Sequence, residues 1–338
     1  MSDTPTTRTV RAVASLEPGG VEASSSFQDV EIVLGPLGEH DLLVEVRAVS
    51  VNPIDLKTRI AFDKATAPKV LGYDAAGVVL EIGTAVTAFA VGDEVYYAGT
   101  LVRQGTNAEQ HLVDERIVGH KPTSLSFAEA AAVPLTTITA WETLFDRMRL
   151  TPDSSGTLLV MGGAGGVGSM VTQLARQLTQ VTVIATASRE ESHEWAQKMG
   201  AHHVVDHHHL KDEVMSVAPA GVNHIFSAFS TGNEQVYSEI MPVHGEVVAI
   251  DGPKGFDVGP LKARAQTWHW ESMFARPLFD PTSTAQRELL DEASRLFDAG
   301  VLKTTLTRTL QGLNANTLRE AHAQVEGSTM VGKLVVEF

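Results

Sequence analysis

The stretch TLLVM-GGAGGVGS-MVTQLARQL, residues 157–178, runs an apolar segment straight into a glycine-rich turn and then into a helical pattern. Gly163, Gly165 and Gly168 have the G-x-G-x-x-G spacing. Strand, glycine turn and helix in that order open a dinucleotide-binding βαβ unit. Gly163 is expected to allow the tight turn. Gly165 lets backbone N–H groups approach a pyrophosphate, and Gly168 lets the helix pack close to the strand. Ala164, Gly166 and Val167 complete the cradle, where the helix N-terminus offers N–H groups and the positive end of its dipole. A glycine-rich turn that holds no ligand has the same composition, so context decides.

The context is an alternation of strands and helices. Strands are expected over 157–161, 181–187, 203–205, 224–229 and 247–250, with helices over 167–178, 190–199, 210–217 and 234–240. This pattern predicts a parallel, doubly wound sheet. Upstream the texture differs. Short candidate strands over 10–15, 42–49, 76–82, 94–98 and 109–113 are punctuated by Gly, Pro and Asp, as in a barrel-like antiparallel domain. Ser126 and Glu129 have capping-box spacing and open an alanine-rich helix. Helices near 283–299 and 314–324 and a strand over 333–338 finish the chain.

The end of the second strand bears on which nucleotide binds. An NAD site usually places an acid there for the ribose hydroxyls. Here the strand ends in Ala185-Thr186-Ala187-Ser188-Arg189. Ser188 and Arg189 suit a 2′-phosphate by hydrogen bond and charge, which predicts NADP(H).

Bulk composition excludes other classes. The 338 residues suggest two domains at ~150 residues each. Hydrophobic content of 43% and charged content of 20% provide for a core. A net charge of −15 argues against a nucleic-acid backbone or an anionic membrane as partner. The absence of cysteine removes disulfides, thiolate zinc sites and cysteine nucleophiles. No apolar run approaches the ~18 residues of a membrane helix, and MSDTPTTRTV has no secretory h-region. A cytoplasmic protein is expected.

The blocks VNPIDLKTR, LGYDAAGVVLEIG, FAVGDEVYYAG, AAAVPLTTITAWETL, GGAGGVGS, MGAHHVVDH, GEVVAI and GKLVVEF, in this order, resemble the medium-chain dehydrogenase/reductase superfamily, in its zinc-independent, quinone-oxidoreductase-like branch. WHWESMFARP and LREAHAQVEGSTMVGKLVV look like a subgroup often labelled zinc-binding alcohol dehydrogenase. The resemblance spans nearly the whole chain. It implies an α/β fold: a GroES-like, partly open β-barrel domain over 1–136 and 272–338, and a Rossmann NADP(H)-binding domain over 137–271. It implies a homodimer or homotetramer assembled through the Rossmann sheets.

It also implies site residues. Zinc-dependent relatives place a Cys where Asn52 falls and Gly-His-Glu where Gly72-Tyr73-Asp74 falls. A catalytic zinc normally takes three protein ligands, so no zinc is expected. His202, His203, His207, His208 and His209 form the other metal temptation. Adjacent histidines on a strand point to opposite faces, and no metal is expected there either. By resemblance, His207 borders the 2′-phosphate, Asn52 and Thr139 lie at the nicotinamide, Ile250 packs on its carboxamide edge, and Lys333 stands near the phosphates. Phe229, at the end of the fourth strand, joins these cofactor contacts. Asn52, Lys57 and Tyr73 are the candidate catalytic residues. Asp55 is expected to brace the loop after Asn52, by pairing with Arg59 or capping backbone. Trp268, His269, Trp270 and Phe274 are read as a subunit contact.

The chemistry implied is hydride transfer to a quinone or an activated α,β-unsaturated carbonyl. An enolate oxygen left by such a carbonyl needs a donor, and Asn52 and Lys57 are the candidates. A medium-chain alcohol dehydrogenase or enoyl reductase is the alternative within the enzymes. The Tyr that enoyl-thioester reductases use has no clear counterpart between Asn52 and Gly72. An NADPH-binding protein with little turnover is the alternative of another class.

Overall fold

A computed structural model describes residues 8–252, 255–327 and 329–338. Two compact units divide the chain: Met1–Leu135 with Phe274–Phe338, and Thr136–Met273. In chain order the elements are β1 (Arg8–Ser15), β2 (Gln28–Leu34), β3 (Asp41–Ser50), α1 (Pro53–Ala61), β4 (Lys69–Val70), β5 (Ala75–Ile82), β6 (Glu94–Tyr97), β7 (Gln110–Asp114), β8 (Val118–His120), α2 (Phe127–Ala131) and α3 (Pro134–Trp141). A π-helical turn, Glu142–Arg147, continues α3. Next come β9 (Thr157–Val160), α4 (Gly166–Leu178), β10 (Thr182–Thr186), α5 (Glu190–Lys198), β11 (His203–Val205), α6 (Leu210–Val217), β12 (His224–Ser227), α7 (Glu234–Ile240), β13 (Glu246–Ala249) and β14 (Thr267–Trp270). The chain ends with α8 (Ala275–Phe279), α9 (Ala285–Asp298), β15 (Leu306–Gln311), α10 (Ala315–Glu326) and β16 (Lys333–Glu337).

β3 organises the first unit. Its residues DLLVEVRAVS are almost all buried, so both of its faces are covered, and it is paired on both edges, by β5 along one and by β7 and β16 on the other. A strand buried this way reads as a near-continuous apolar run. The sheet runs β15-β16-β3-β5-β6-β8, with β7 added on β3, and a second sheet runs β2-β1-β4. The core holds Leu42, Val44, Val46 and Val49 of β3 with Val95, Tyr97, Val113 and Leu334. Sequence reading misses β2 and β15. Both lie at sheet edges, and their alternating or exposed residues form no apolar run.

The second unit holds one sheet in the order β11-β10-β9-β12-β13-β14, with every described pairing parallel. The strand interiors LLV, VIAT and VVA are buried on both faces, as helix-covered parallel strands must be. Parallel strands send all their C-terminal ends to one edge, where ligands bind in folds of this kind. β14 at the outer edge is an addition to the expected strands. Among the described residues no helix is long and apolar enough to cross a membrane.

Asn52-Pro53-Ile54-Asp55 proves to be a helix start rather than a loop. Asn52 is extended and caps α1, and Pro53 takes the first helical position, where its missing N–H costs nothing.

Candidate functional site

The glycine turn sits at the C-terminal edge of the second unit's sheet, between β9 and α4. Its glycines divide the work differently from expectation. The left-handed residue is Gly162, at φ 73°, not Gly163. A Cβ on Gly163 would lie 2.6 Å from Ala185 Cβ, so this glycine admits β10 instead. A Cβ on Gly168 would lie 2.3 Å from the Gly162 carbonyl oxygen, which is the close packing its position predicts. Gly165 caps α4, and a Cβ there would meet only the Gly162 oxygen, at 3.4 Å. The turn is tied to the next strand: Gly162 N–H donates to Thr186 Oγ1 (2.9 Å) and Gly163 N–H to Thr186 O (3.1 Å). Ala164 is buried, while Gly166 and Val167 begin α4, whose first N–H groups have no partner within the helix.

Other candidates gather along the same edge. Ser188 and Arg189 follow β10 and are exposed, and Arg189 caps α5. Ala187 N–H bonds Val205 O (3.0 Å), which sets the end of β10 beside the start of the Asp206-His207-His208 turn. His207 is exposed there. Phe229 is 61% exposed, and its ring edge approaches Gly162, 2.9 Å from where a Cβ would stand. Ile250 follows β13 and is half-buried, and its N–H bonds Ser227 O (3.0 Å). Thr139 is buried on α3.

The histidines correct one expectation. Residues 207–209 form a 3-10 turn, not a strand, so their rings need not diverge. Asp206 caps the turn and accepts from His208 Nδ1 at 2.7 Å. One ligand atom each from Asp206, His207 and His208 falls within 4.8 Å of the others. This is a surface hydrogen-bonded cap with metal-compatible atoms.

In the first unit, Asn52 is at the centre of a buried polar cluster. Asn52, Asp55, Asp74 and Lys333 are all at most 5% exposed. Both amide hydrogens of Asn52 are used, one on Asp74 Oδ2 (2.7 Å) and one on Ser50 O (3.3 Å). Its Oδ1 accepts from Lys333 Nζ at 2.6 Å. Lys333 also donates to Val51 O (2.9 Å) and lies 3.6 Å from Asp74 Oδ2. The other Asp74 oxygen accepts from Leu135 N–H (2.7 Å). Asp55, at the third position of α1, accepts from the backbone of Asn52 (2.8 Å) and of Gly72 (2.9 Å). Asp55 therefore caps backbone and does not pair with Arg59. The Arg59 guanidinium goes instead to Gly19 O, His322 Nδ1 and Glu326.

Burial dominates the electrostatics of this cluster. It pushes the Asp74 carboxyl up to about 6 and the Asp55 carboxyl up to about 7, against the pull of Lys333 and their hydrogen bonds. Burial lowers the Lys333 ammonium, against the pull of both aspartates. Tyr73 is fully buried with its hydroxyl 3.4 Å from Thr58 Oγ1, and burial pushes the phenol up to about 12. Lys57 is exposed on α1. Phe274 is buried against Tyr73, at 5.5 Å and 74°, so it belongs to the core of the first unit and leaves the expected aromatic surface group. Sequence reading misses the structural weight of Asp74. Its signal is an acid in the otherwise apolar run LGYDAAGVV.

The cluster makes a testable demand. Lys333→Met leaves buried carboxylates without their cation, which should cost about 3–5 kcal/mol. Folded carboxyls with raised pKa hold protons that the unfolded chain has released, so their stability contribution falls as pH rises from the ordinary aspartate range toward about 7. The loss in Lys333→Met should therefore be larger at pH 8 than at pH 5. Urea denaturation at both values reads this, and a loss below about 1 kcal/mol at pH 8 would refute the cluster's dependence on the ammonium.

Residues 38–142 match the alcohol dehydrogenase GroES-like domain family, and residues 199–336 match the zinc-binding dehydrogenase family. A zinc-type alcohol dehydrogenase-like protein of Staphylococcus aureus (strain MRSA252) is 39% identical over 306 residues, covering 88% of this chain and 90% of its own. The chloroplastic NADPH-dependent alkenal/one oxidoreductase of Arabidopsis thaliana is 34% identical over 251 residues, covering 70% of this chain and 62% of its own. A crystal structure from Rhizobium etli CFN 42, described as a zinc-dependent alcohol dehydrogenase, superposes with a TM-score of 0.94 at 46% identity and covers 98% of both chains. With a GroES-like unit, a parallel Rossmann sheet and relatives matched over most of its length, the chain belongs to the medium-chain dehydrogenase/reductase superfamily of oxidoreductases.

Proposed function

We propose that this oxidoreductase is NADPH-dependent and zinc-independent, and transfers hydride to quinones or activated α,β-unsaturated carbonyls. The observation that carries the reading is the glycine turn at the sheet edge, with Ser188 and Arg189 exposed at the end of the next strand. Gly165 and the N-terminus of α4 would hold the pyrophosphate. Ser188 and Arg189, with His207, would hold the 2′-phosphate. Phe229, Thr139 and Ile250 would line the remainder of the cofactor. Bound there, NADPH would supply a hydride from its nicotinamide ring. The NADPH-dependent alkenal/one oxidoreductase among the relatives supports both the cofactor and an enone acceptor.

The residues around Asn52 do not fit a zinc ion. The Asn52 oxygen that would have to ligate already receives an ammonium, and both Asp74 oxygens are taken. The Tyr73 hydroxyl donates to Thr58 Oγ1, and a phenol is outside the usual Cys, His and carboxylate ligands of zinc. We therefore derive no step through zinc, despite the zinc in the names of the matched family and relatives. Asn52 acts through its cluster, since it has no amide hydrogen left for a substrate. Lys57, exposed on α1, is the candidate to stabilise a developing enolate oxygen or to protonate the product. A homodimer contact fits β14, which lies at the outer edge of its sheet and exposes half of Trp270. A cytoplasmic location agrees with the composition.

Three measurements test this reading. NADPH should bind more tightly than NADH, and Arg189→Ala should weaken NADPH about ten- to a hundredfold while leaving NADH nearly unchanged, the scale of one hydrogen bond to a charged group. Equal affinities in the parent protein would defeat the assignment. Elemental analysis of purified protein should find no stoichiometric zinc, and activity should survive a chelator. Chelator-sensitive turnover would reinstate the metal. Stopped-flow oxidation of NADPH across quinones, enones and aldehydes should show the first two classes fastest. If no acceptor raises the rate above background, the protein is a binder and not an enzyme.

A further inference from the structure

Away from the glycine turn, the second unit buries a pair of acids. Glu271 directly follows β14, and its N–H extends the ladder by donating to Ala249 O at 2.9 Å. Glu142 opens the π-helical turn that continues α3. Both residues are buried. Glu271 Oε2 pairs with Arg147 Nε at 3.2 Å. Its other oxygen, Oε1, is buried and meets no donor among the described residues. Beside burial, a side-chain contact with the Glu142 carboxyl raises the Glu271 carboxyl, and Arg147 opposes it.

Two ionised carboxylates in contact, shut away from water, repel each other and leave an acceptor facing an acceptor. One proton resolves both problems. With the proton on Glu271 Oε1, that oxygen donates to Glu142, and the single remaining negative charge is matched by Arg147. Atoms and charge then balance: two carboxyl groups, one proton, one guanidinium. The orphaned oxygen is an orphan only while the carboxyl is counted as ionised.

We propose that Glu142 and Glu271 share one proton as a carboxyl pair, anchored by Arg147, that clamps the π-helical turn against the end of β14 and positions the cofactor-facing edge of the sheet. The positioning half rests on the functional reading above. Thr139 lies three residues before Glu142 on the same run of helix. Ile250 follows Ala249, the strand partner of Glu271. These are two of the residues assigned to the nicotinamide end. π-helical turns are rare within helices and frequent at functional sites, and this one holds Glu142, Asp146 and Arg147.

The surrounding charges agree. Burial holds the Glu271 proton, the contact with Glu142 reinforces it, Arg147 opposes it and Asp146 adds to it, so the group titrates well above the usual carboxylate range. His269, two residues earlier on β14, is occupied by Glu246 at 3.0 Å. A carboxyl that keeps its proton in the folded state loses stability as pH rises from the ordinary glutamate range toward its own raised value.

Glu271→Gln tests the pair, because the amide donates permanently where the shared proton donates reversibly. At pH 7 the infrared spectrum of the parent protein should contain a protonated-carboxyl stretch that Glu271→Gln lacks. Between pH 5 and pH 8 the parent's Tm should fall by several degrees relative to that of Glu271→Gln. At pH 7 the Kd for NADPH should be nearly the same in Glu271→Gln as in the parent, because the amide keeps the donor, while Glu271→Ala should bind several-fold more weakly. A spectrum without the difference band, or parallel Tm curves, would overturn the shared proton. A Glu271→Gln protein as impaired toward NADPH as Glu271→Ala would overturn the positioning role. The infrared and thermal readings use no cofactor, so a protein that binds no NADPH would bring down the functional reading and leave the acid pair to be judged on its own.

Discussion

The ammonium of Lys333 holds together parts of the first unit that lie far apart in sequence. It reaches Val51 O and Asn52 Oδ1, and stands beside Asp74. One side chain on the last strand thus fixes the end of β3, the start of α1 and the entry to β5. Each partner is buried, so the contact cannot be exchanged for water without cost. Asn52 owes its orientation to this cation on one side and to Asp74 on the other. The arrangement resembles a metal centre in its logic, with a positive charge surrounded by oxygens, but the charge is covalently attached to the chain.

The second unit solves a different problem. Its parallel sheet puts every strand end on one edge, with the glycine turn after β9 and Ser188 and Arg189 after β10. Gly162 provides the positive φ, Gly163 and Gly168 provide the close approaches, and Thr186 ties the turn to the neighbouring strand. The edge is therefore rigid where phosphate would sit and exposed where Arg189 and Phe229 sit. Rigidity at the binding elements lets binding free energy act on ligand geometry instead of on ordering the protein.

What sequence reveals here follows from range. The parallel unit is legible because strands covered on both faces are continuous apolar runs, and a helix such as Leu210–Val217 has its 3.6 period intact. Edge strands such as β2 are not legible, since they bury little. The glycine turn is legible as a unit but not in its detail, because which glycine takes the positive φ depends on the approach of β10. Asn52 and Lys333 are singled out through resemblance, but Lys333 as a neighbour of the cofactor phosphates, whereas it is buried on Asn52. Their mutual bond is not legible, because it joins residues 281 apart in the chain. The acids Glu142 and Glu271 share this difficulty, since each looks like an ordinary polar residue beside an aromatic. Asp55 is the local exception, since its position three residues after Asn52 is a capping distance that the sequence displays.

The placement of Lys333 has a consequence for biosynthesis. A chain made from its N-terminus presents Asn52 and Asp74 long before residue 333 emerges, and the whole second unit is synthesised in between. Until β16 arrives, the pocket around Asn52 has its acids but not its cation, so those acids remain hydrated or protonated and the first unit stays incomplete. Closure of the fold and completion of the Asn52 cluster are then one event, timed by the emergence of Lys333.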